Sequence, residues 1–120
     1  MSSFRDLLAY QKGFELAMEI FEISKAFPKE EKYSLTDQVR RSSRSVCSNF
    51  GEAYRKRRYQ DHFMSKLSDS DMENTETQIW LDFAFSCKYI DEVTYKNLIE
   101  KSEEIGKLLY YMFENPGKIK

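Results

Sequence analysis

Seven cations lie between positions 40 and 58 of this 120-residue chain, and they are the residues best suited to bind a charged ligand. They are Arg40, Arg41, Arg44, Arg55, Lys56, Arg57 and Arg58. The same stretch contains one carboxylate, Glu52, although the net charge of the whole chain is only −1. Solvated helices usually alternate the sign of their charges, because opposite charges four residues apart stabilise a helix. The excess of one sign favours a surface that binds a polyanion such as RNA or DNA.

Two other interpretations of these cations remain open. Residues 61–92 contain eight carboxylates and two lysines, so the cations could pair with acids of the same chain or of a neighbouring subunit. They could also be solvated without any partner. On a helical wheel Arg40, Arg44 and Arg55 lie within about 60° of one another, with Arg41 at about 100°. A helix through this stretch would therefore have one basic side.

The chain offers little that could perform catalysis. A di-iron site in a helical bundle needs two Glu-x-x-His units, and His62 is the single histidine of the sequence. We expect His62 to be a surface residue near the start of a helix. Cys47 lies near arginines that could lower the pKa of its thiol, but no second histidine is present to activate it. The four glycines are isolated, so no phosphate-binding loop is predicted. We expect a protein that is not an enzyme and has no catalytic residues, metal or cofactor.

Helix start and stop signals divide the chain into four segments. Ser3 and Asp6 form a capping pair for a helix of roughly 5–27, which Pro28 ends. Ser34 opens a second helix that ends within 54–58, and a third helix occupies roughly 60–88. Asp91 caps the fourth, which stops at the Asn-Pro-Gly run of 115–117. With no competing strand pattern, the prediction is an all-α, antiparallel, up-down four-helix bundle that forms a single domain over residues 1–120.

Each predicted helix carries an apolar stripe at spacings of three and four residues. In the first helix the stripe is Leu7, Tyr10, Phe14, Ala17, Phe21 and Ser24. In the second it is Leu35, Val39, Ser42, Val46, Phe50 and Ala53. In the third it is Phe63, Leu67, Ser70, Asn74, Thr77, Leu81 and Ala84. In the fourth it is Val93, Leu98, Ile99, Ser102, Ile105, Leu109 and Met112.

The third helix has a second apolar face, formed by Met72, Ile79 and Phe83 on the side opposite Phe63. A leftover apolar face on a helix favours a contact with a partner, here a second copy of the chain. The alternative is that this helix is simply the most central one. We expect a homo-oligomer that uses these three side chains.

Four polar residues lie on or beside the predicted core stripes, namely Asn49, Asn74, Thr77 and Gln78. Such groups usually bond to one another across helices and fix their register, and the alternative is that they line a binding pocket. The two cysteines, Cys47 and Cys87, are expected to be reduced and packed. With no apolar signal segment and no membrane-spanning run, the sequence favours a soluble, cytoplasmic protein.

Several runs of the sequence resemble the 23S rRNA-intervening-sequence protein family. They are FRDLLAYQKGFELA at 4–17, FPKEEKYSLTDQVRRSSRSVCSNFGEAYRKRR at 27–58 and HFMSKLSDSDMENTETQIWLDFA at 62–84. The resemblance is densest at 38–41 (Gln-Val-Arg-Arg), at Ser45, Asn49 and Glu52, at 76–78 (Glu-Thr-Gln) and at 80–81 (Trp-Leu). Many relatives have Asn-Ile-Ala-Glu-Gly where this chain has Asn-Phe-Gly-Glu-Ala at 49–53, which leaves the end of the second helix open.

This resemblance implies an antiparallel four-helix bundle that assembles into a ring-like homopentamer. The chain is also similar to the accessory bundle proteins of diversity-generating retroelements, which implies nucleic acid and a reverse transcriptase as partners. Together with the basic stretch, this predicts binding of RNA or DNA with weak sequence preference, in which Tyr54 and Tyr59 could stack on unpaired bases. The alternative is a protein-interaction scaffold whose basic face docks on an acidic protein partner or on its own neighbour.

Overall fold

A computed structural model describes residues 3–118. It contains the four helices α1 (Leu8–Ser24), α2 (Leu35–Arg55), α3 (Gln60–Ser86) and α4 (Glu92–Glu114). Short 3₁₀ turns occupy Phe4–Asp6, Lys29–Glu31 and Pro116–Lys118. No strand occurs in this part of the chain, so the all-α prediction is confirmed.

Contacts between the helices show that neighbours run antiparallel. From α2 to α3, the Ser42 hydroxyl lies 2.8 Å from that of Thr77, and Ser70 donates to the carbonyl of Val46. The residue numbers thus rise along α2 as they fall along α3. The same order relates α1 to α4, where Lys12 pairs with Glu104 and Lys101 pairs with Glu19. Both α1 and α3 pack on α2 and α4, which closes a bundle around one core.

The helix ends follow the predicted signals with two exceptions. Asp91 caps α4 by accepting a hydrogen bond from the backbone N–H of Thr94 at 2.8 Å. Ser3 and Asp6 do form a capping box, but it closes the 3₁₀ turn, because Leu7 is extended and separates that turn from α1. At the start of α2 the side chain of Ser34 makes no capping bond to the backbone and instead contacts the Glu31 carboxylate at 2.6 Å.

The core confirms the stripes predicted for α2 and α3, all of whose members are buried. In α4 the prediction was wrong for Val93, which is 79% exposed beside the capping residue, whereas the later members of that stripe, from Leu98 on, pack inward. The predicted stripe of α1 was wrong for Phe14, whereas Tyr10 and Phe21 are half-buried and Tyr10 packs against the core. Phe14 is 51% exposed, and the buried face of α1 is Ala9, Gly13, Leu16, Ala17, Ile20 and Ser24.

Small residues explain the orientation of α1. A Cβ added to Gly13 would come within 3.2 Å of the Cys47 sulfur and 3.7 Å of a Val46 methyl, so α1 and α2 approach closely at this point. Large side chains cannot occupy such a contact without pushing the helices apart. The aromatic residues of α1 are consequently displaced to the outer edge of the interface with α2.

The buried polar residues bond across helices, as predicted. Asn74 donates to the backbone carbonyl of Ser102 at 2.9 Å and accepts from the Ser102 hydroxyl at 2.8 Å. Gln78 donates to the same hydroxyl at 2.9 Å, and Thr77 bonds to Ser42. In residues 3–118 no buried side-chain nitrogen or oxygen is left without a partner. Because each of these bonds needs one alignment of its two helices, the network fixes the register.

None of the helices in the described residues combines the length and the apolar character needed to cross a membrane.

Candidate nucleic-acid interface

The seven cations lie along the outer side of α2 and in the turn that follows it. Arg40 and Arg57 are half-buried, and the other five are exposed: Arg41, Arg44, Arg55, Lys56 and Arg58. Within residues 3–118 none of the seven forms an ion pair with a carboxylate. The described residues thus contain no ion pair between these cations and the acids of α3, although the charge of Arg41 acts on Glu73.

Arg40 contributes to the packing of α1 on α2. Its Nε donates to the Ser24 hydroxyl at 2.7 Å, and a terminal nitrogen lies 3.4 Å from the carbonyl oxygen of Phe21. Its guanidinium also lies over the Phe21 ring, 4.8 Å from the centroid. These contacts satisfy the C-terminal turn of α1, where backbone carbonyls lack partners within the helix. Arg40 adds positive charge to the surface but is not a free ligand-binding group.

Arg57 is also bound to its own chain, through Tyr54. It donates to the carbonyl oxygen of Tyr54 at 2.9 Å, and its guanidinium lies 4.0 Å from the centroid of the Tyr54 ring. Tyr54 is only 4% exposed because it lies four residues after Phe50, on the buried face of α2. The prediction that Tyr54 could stack on unpaired bases is therefore wrong. Tyr59 is 66% exposed and remains accessible.

The cations form two clusters rather than one continuous stripe. The first basic cluster is Arg40, Arg41 and Arg44, and the second basic cluster is residues 55–58. Arg44 and Arg55 are separated by about 16 Å along the helix axis. Between them lies Glu52, whose carboxylate is 3.6 Å from the ammonium group of Lys66 on α3.

An open, largely apolar groove runs between α1 and α2 and connects the two clusters. One half has a volume of about 610 Å³, with Phe4, Tyr10, Phe14 and Met18 among its apolar walls and Arg44, Arg55 and Lys56 along its edge. The other half, of about 710 Å³, is bordered by Phe21, Lys32, Tyr33 and the first basic cluster. Arg44 and Ser48 line both halves. We call the two halves together the α1–α2 groove.

Sequence reasoning did not find this groove, although a signal was present. The first helix contains more large aromatic residues than one side of a helix can bury in a small bundle, and they alternate with the small residues Ala9, Gly13 and Ala17. The small residues mark the contact with α2, and the aromatic residues beside them mark the walls of the groove.

Cys47 is partly buried, in line with the expectation of a packed thiol, and the nearby arginines do not lower its pKa. Burial raises the pKa of the Cys47 thiol to about 11, and no arginine offsets this. Cys87 is a free thiol and is exposed, so the prediction that it is a packed residue is wrong. In the described part of the chain, no group of three His, Cys, Asp or Glu residues is placed to hold a metal ion.

A polar notch lies between the first basic cluster and α3. Gln38, Arg41 and Glu73 line it, together with Glu76. Burial and a hydrogen bond with Glu76 raise the pKa of Glu73, while a hydrogen bond from Ser45 and the charge of Arg41 act in the opposite direction. The positive field of Arg41 is thus partly offset on the side that faces α3.

The second apolar face of α3 lies on the surface. Met72, Ile79 and Phe83 are 65%, 45% and 54% exposed, respectively. Next to Phe83, a shallow depression of about 510 Å³ is lined by Trp80, Cys87 and the start of α2. This exposed set is what a contact with another molecule would require, and it is separate from the α1–α2 groove.

Comparisons with known proteins agree with this architecture. A crystal structure from Bacteroides thetaiotaomicron, of a protein with unknown function from the S23 ribosomal protein family, superposes with a TM-score of 0.81. The two chains are 29% identical, and the match covers 89% of this chain and 96% of the other. Comparison with curated proteins gives no match. The sequence profile of the 23S rRNA-intervening sequence protein family matches residues 5–111, and the chain belongs to that family.

Proposed function

We propose that this protein is a non-enzymatic nucleic-acid-binding bundle that acts as a homo-oligomer and contacts phosphates through the two basic clusters of α2. The observation that carries the proposal is the concentration, on one helix and the turn that follows it, of seven cations without ion pairs in the described part of the chain. Lys12, Lys66 and Lys101 each form an ion pair between helices, whereas the seven cations form none within residues 3–118. Five of the seven are exposed and available for an external anion, whereas Arg40 and Arg57 are held by contacts within the chain.

The physical basis of such binding is the release of counterions from the nucleic acid. Each phosphate that a cation neutralises contributes about −0.9 to the slope of log affinity against log salt concentration for duplex DNA. Contacts to phosphates fix position and carry no sequence information. We therefore expect a steep dependence on salt and weak sequence preference, with RNA and DNA both accepted.

Self-association would multiply these contacts. The exposed face of Met72, Ile79 and Phe83 supports a contact between copies on the outer side of α3. If the contact joins this face to a different surface of the next copy, repeated rotation can close the assembly into a ring. The resemblance to ring-forming relatives favours a pentamer. A ring presents one pair of basic clusters for each subunit.

The proposal that the protein is not an enzyme is supported by the state of its most plausible nucleophile. With its pKa raised to about 11, the Cys47 thiol carries little thiolate at neutral pH. His62 is exposed at the start of α3, where its ring lies 6.1 Å from that of Tyr59. We expect no hydrolysis of nucleotides or RNA by the purified protein.

A titration of binding against salt tests the proposal. Structured RNA and duplex DNA should both bind at low salt, with affinities that fall along similar steep slopes as salt increases. A chain that binds neither of them at low salt would contradict it.

The second candidate function is a protein-interaction scaffold, and the apolar walls of the α1–α2 groove favour it. An acidic amphipathic helix would place apolar side chains against Phe14 and Met18 and carboxylates against Arg44 and Arg55. A neighbouring copy is one such partner, since α3 contains six carboxylates and one lysine. Specific capture of a protein together with no affinity for nucleic acid would favour this candidate.

A further inference from the structure

We propose that the α1–α2 groove is a site for unpaired RNA or DNA, in which bases lie against exposed aromatic side chains and phosphates contact the cations along the edge. This inference rests on the proposed nucleic-acid binding and adds the class of ligand and the position of its bases. Duplexes would contact the same cations but could not place bases in the groove. The protein should therefore prefer single strands to duplexes.

The aromatic residues of the groove form a connected row. The rings of Phe4 and Tyr10 meet edge to face, with centroids 5.0 Å apart, and the centroids of Tyr10 and Phe14 are 6.0 Å apart. Tyr33 stands at the other end of the groove and is 83% exposed. Stacking on aromatic rings is the usual way in which proteins hold unpaired bases without reading their sequence.

Not every ring in the row is equally free. The guanidinium of Arg5 covers Phe4 at 4.5 Å, and the Phe21 ring is covered by Arg40. Phe14 is 51% exposed and has no cation over its ring in the described residues. Phe14 is therefore the principal candidate for a base contact. Tyr33 is the second, although the ammonium group of Lys32 lies 5.3 Å from the centroid of its ring.

The cations are placed to follow a strand whose bases lie in the groove. Arg44 stands where the two halves of the groove meet, and Arg55 and Lys56 flank the half that contains Phe14. Two carboxylates also border the groove. One of them, Glu52, is offset by Lys66, and the other, Asp37, lies at the far end among Lys32 and the first basic cluster. Cations outnumber carboxylates at each end of the groove, and Glu52 separates the two basic clusters in the middle.

The dimensions suit a short single strand. Residues 36–56 of α2, which border the groove, span about 30 Å at the rise of an α-helix. Nucleotides of one strand in a duplex are about 3.4 Å apart, and an unpaired strand is more extended, so the groove could follow at most roughly nine of them. Affinity for oligothymidylates should accordingly increase with length up to about this size and then level off.

Substitution of Phe14 provides the test, with three polyanions as probes: oligothymidylate, a DNA duplex of the same length, and inorganic polyphosphate, which has no bases. F14L keeps an apolar side chain but removes the ring, and we expect it to weaken oligothymidylate binding about fivefold or more. F14Y keeps the ring and should bind like the parent. Y110L changes a 64% exposed ring on α4, away from the groove, and should have no effect.

The three probes separate the possible outcomes. Duplex and polyphosphate affinities should change less than about twofold in F14L, because these ligands use only the cations. Unchanged oligothymidylate binding in F14L, or equal binding of single strand and duplex by the parent, would overturn the inference and leave the proposed function standing. No binding of any probe at low salt would overturn both.

A second copy of the chain is the rival occupant of the groove, and the mass of the assembly distinguishes it. F14L should keep the oligomeric mass of the parent in light scattering and the same helical circular dichroism. A lower mass for F14L would mean that the groove is covered by a neighbouring copy, and it would overturn the inference.

Discussion

The two sides of α2 differ in how completely their polar groups are used. Toward α3, Ser42 and Thr77 bond to each other and Ser70 bonds to a backbone carbonyl of α2, all out of contact with solvent. Toward the outside, Arg44 has no ion-pair partner in the described residues, and Phe14 across the groove is half-exposed. The side of α2 that faces α3 thus has its polar groups bonded within the protein, whereas the outer side carries exposed cations and an exposed ring beside it.

Removing a buried side chain on the inner side should have the largest effect on stability. Leu67 on α3 is fully buried, and L67A should lower the free energy of unfolding by about 2–5 kcal/mol. F14A removes a larger side chain from the groove but should cost less than about 1 kcal/mol, because much of the ring is already in water. Urea unfolding of both variants measures the difference. Equal losses would show that the groove wall belongs to the core.

Breaking the polar network should have the next largest effect. N74A leaves the Ser102 hydroxyl proton without its acceptor in a buried site and removes the additional hydrogen bond to the Ser102 carbonyl, which should cost about 1–3 kcal/mol. N97A is the matched control, since Asn97 is exposed and its amide contacts Glu19 at 3.2 Å on the surface. That variant should differ from the parent by less than about 0.5 kcal/mol. Thermal or urea unfolding that ranks them in the opposite order would contradict the role given to the network.

The side of α2 that faces α3 could be predicted from the sequence. The stripes of α2 and α3 keep a regular spacing, and polar members such as Ser70 and Thr77 fit the pattern because their bonding partners lie on the facing helix. In α1 the predicted stripe included Phe14, which is exposed, and missed Gly13, which is buried. Gly13 makes the close contact with α2, and that contact depends on the distance between two helices, which no single helical pattern contains.

The candidate site could be predicted only in part. The cations are visible as a run of one charge, but the bonds that hold Arg40 to Ser24 and Arg57 to Tyr54 depend on how the chain folds back on itself. Predicting the groove would have required knowing that Phe14 faces outward. Its walls come from two helices whose relative rotation is set by packing.

The apolar face of α3, which we expect another copy to cover, can be compared with an exposed position of α4 that we expect to stay free. I79E together with F83E should reduce the mass measured by light scattering to that of a smaller species, because both side chains are exposed and charges there would be desolvated in a contact. Helicity and unfolding should change little. V93E, at a 79% exposed position of α4, is the control and should keep the parental mass. A parent that is already monomeric at micromolar concentration would contradict the proposed assembly.

The smallest expected effect is a difference between the two thiols in their rate of alkylation. Cys87 is exposed and should be alkylated quickly at mildly alkaline pH, whereas Cys47 should react slowly because its pKa is raised to about 11. C87A should therefore remove most of the fast reaction, as followed by mass spectrometry. Comparable rates for the two thiols in the folded parent would contradict the burial of Cys47.

The same raised pKa predicts how stability depends on pH. An unfolded chain ionises this thiol near its ordinary pKa of 9.0, before the folded chain does, so stability falls as pH rises from about 9 to about 11. Tyr89, whose pKa is raised to about 12 by its hydrogen bond to Glu31, contributes in the same direction at higher pH. C47A should show a shallower loss over pH 9–11 than the parent, and an identical pH profile would argue against the shift.

The most direct test of the central claim is charge reversal on the outer side of α2. Arg41 and Arg44 are better targets than Arg40, because both are exposed and neither donates a hydrogen bond to another described residue. K96E with K107E introduces the same change in charge on α4, which lies diagonally across the bundle from α2.

R41E with R44E should weaken binding of RNA and DNA alike by about tenfold or more. It should also reduce the steepness of the salt dependence by about 1.8 for each subunit in contact with the nucleic acid, since two phosphate contacts are lost. The control pair should remain close to the parent in both respects. If R41E with R44E binds as tightly as the parent, or if the control pair loses as much, the basic clusters of α2 are not the nucleic-acid site.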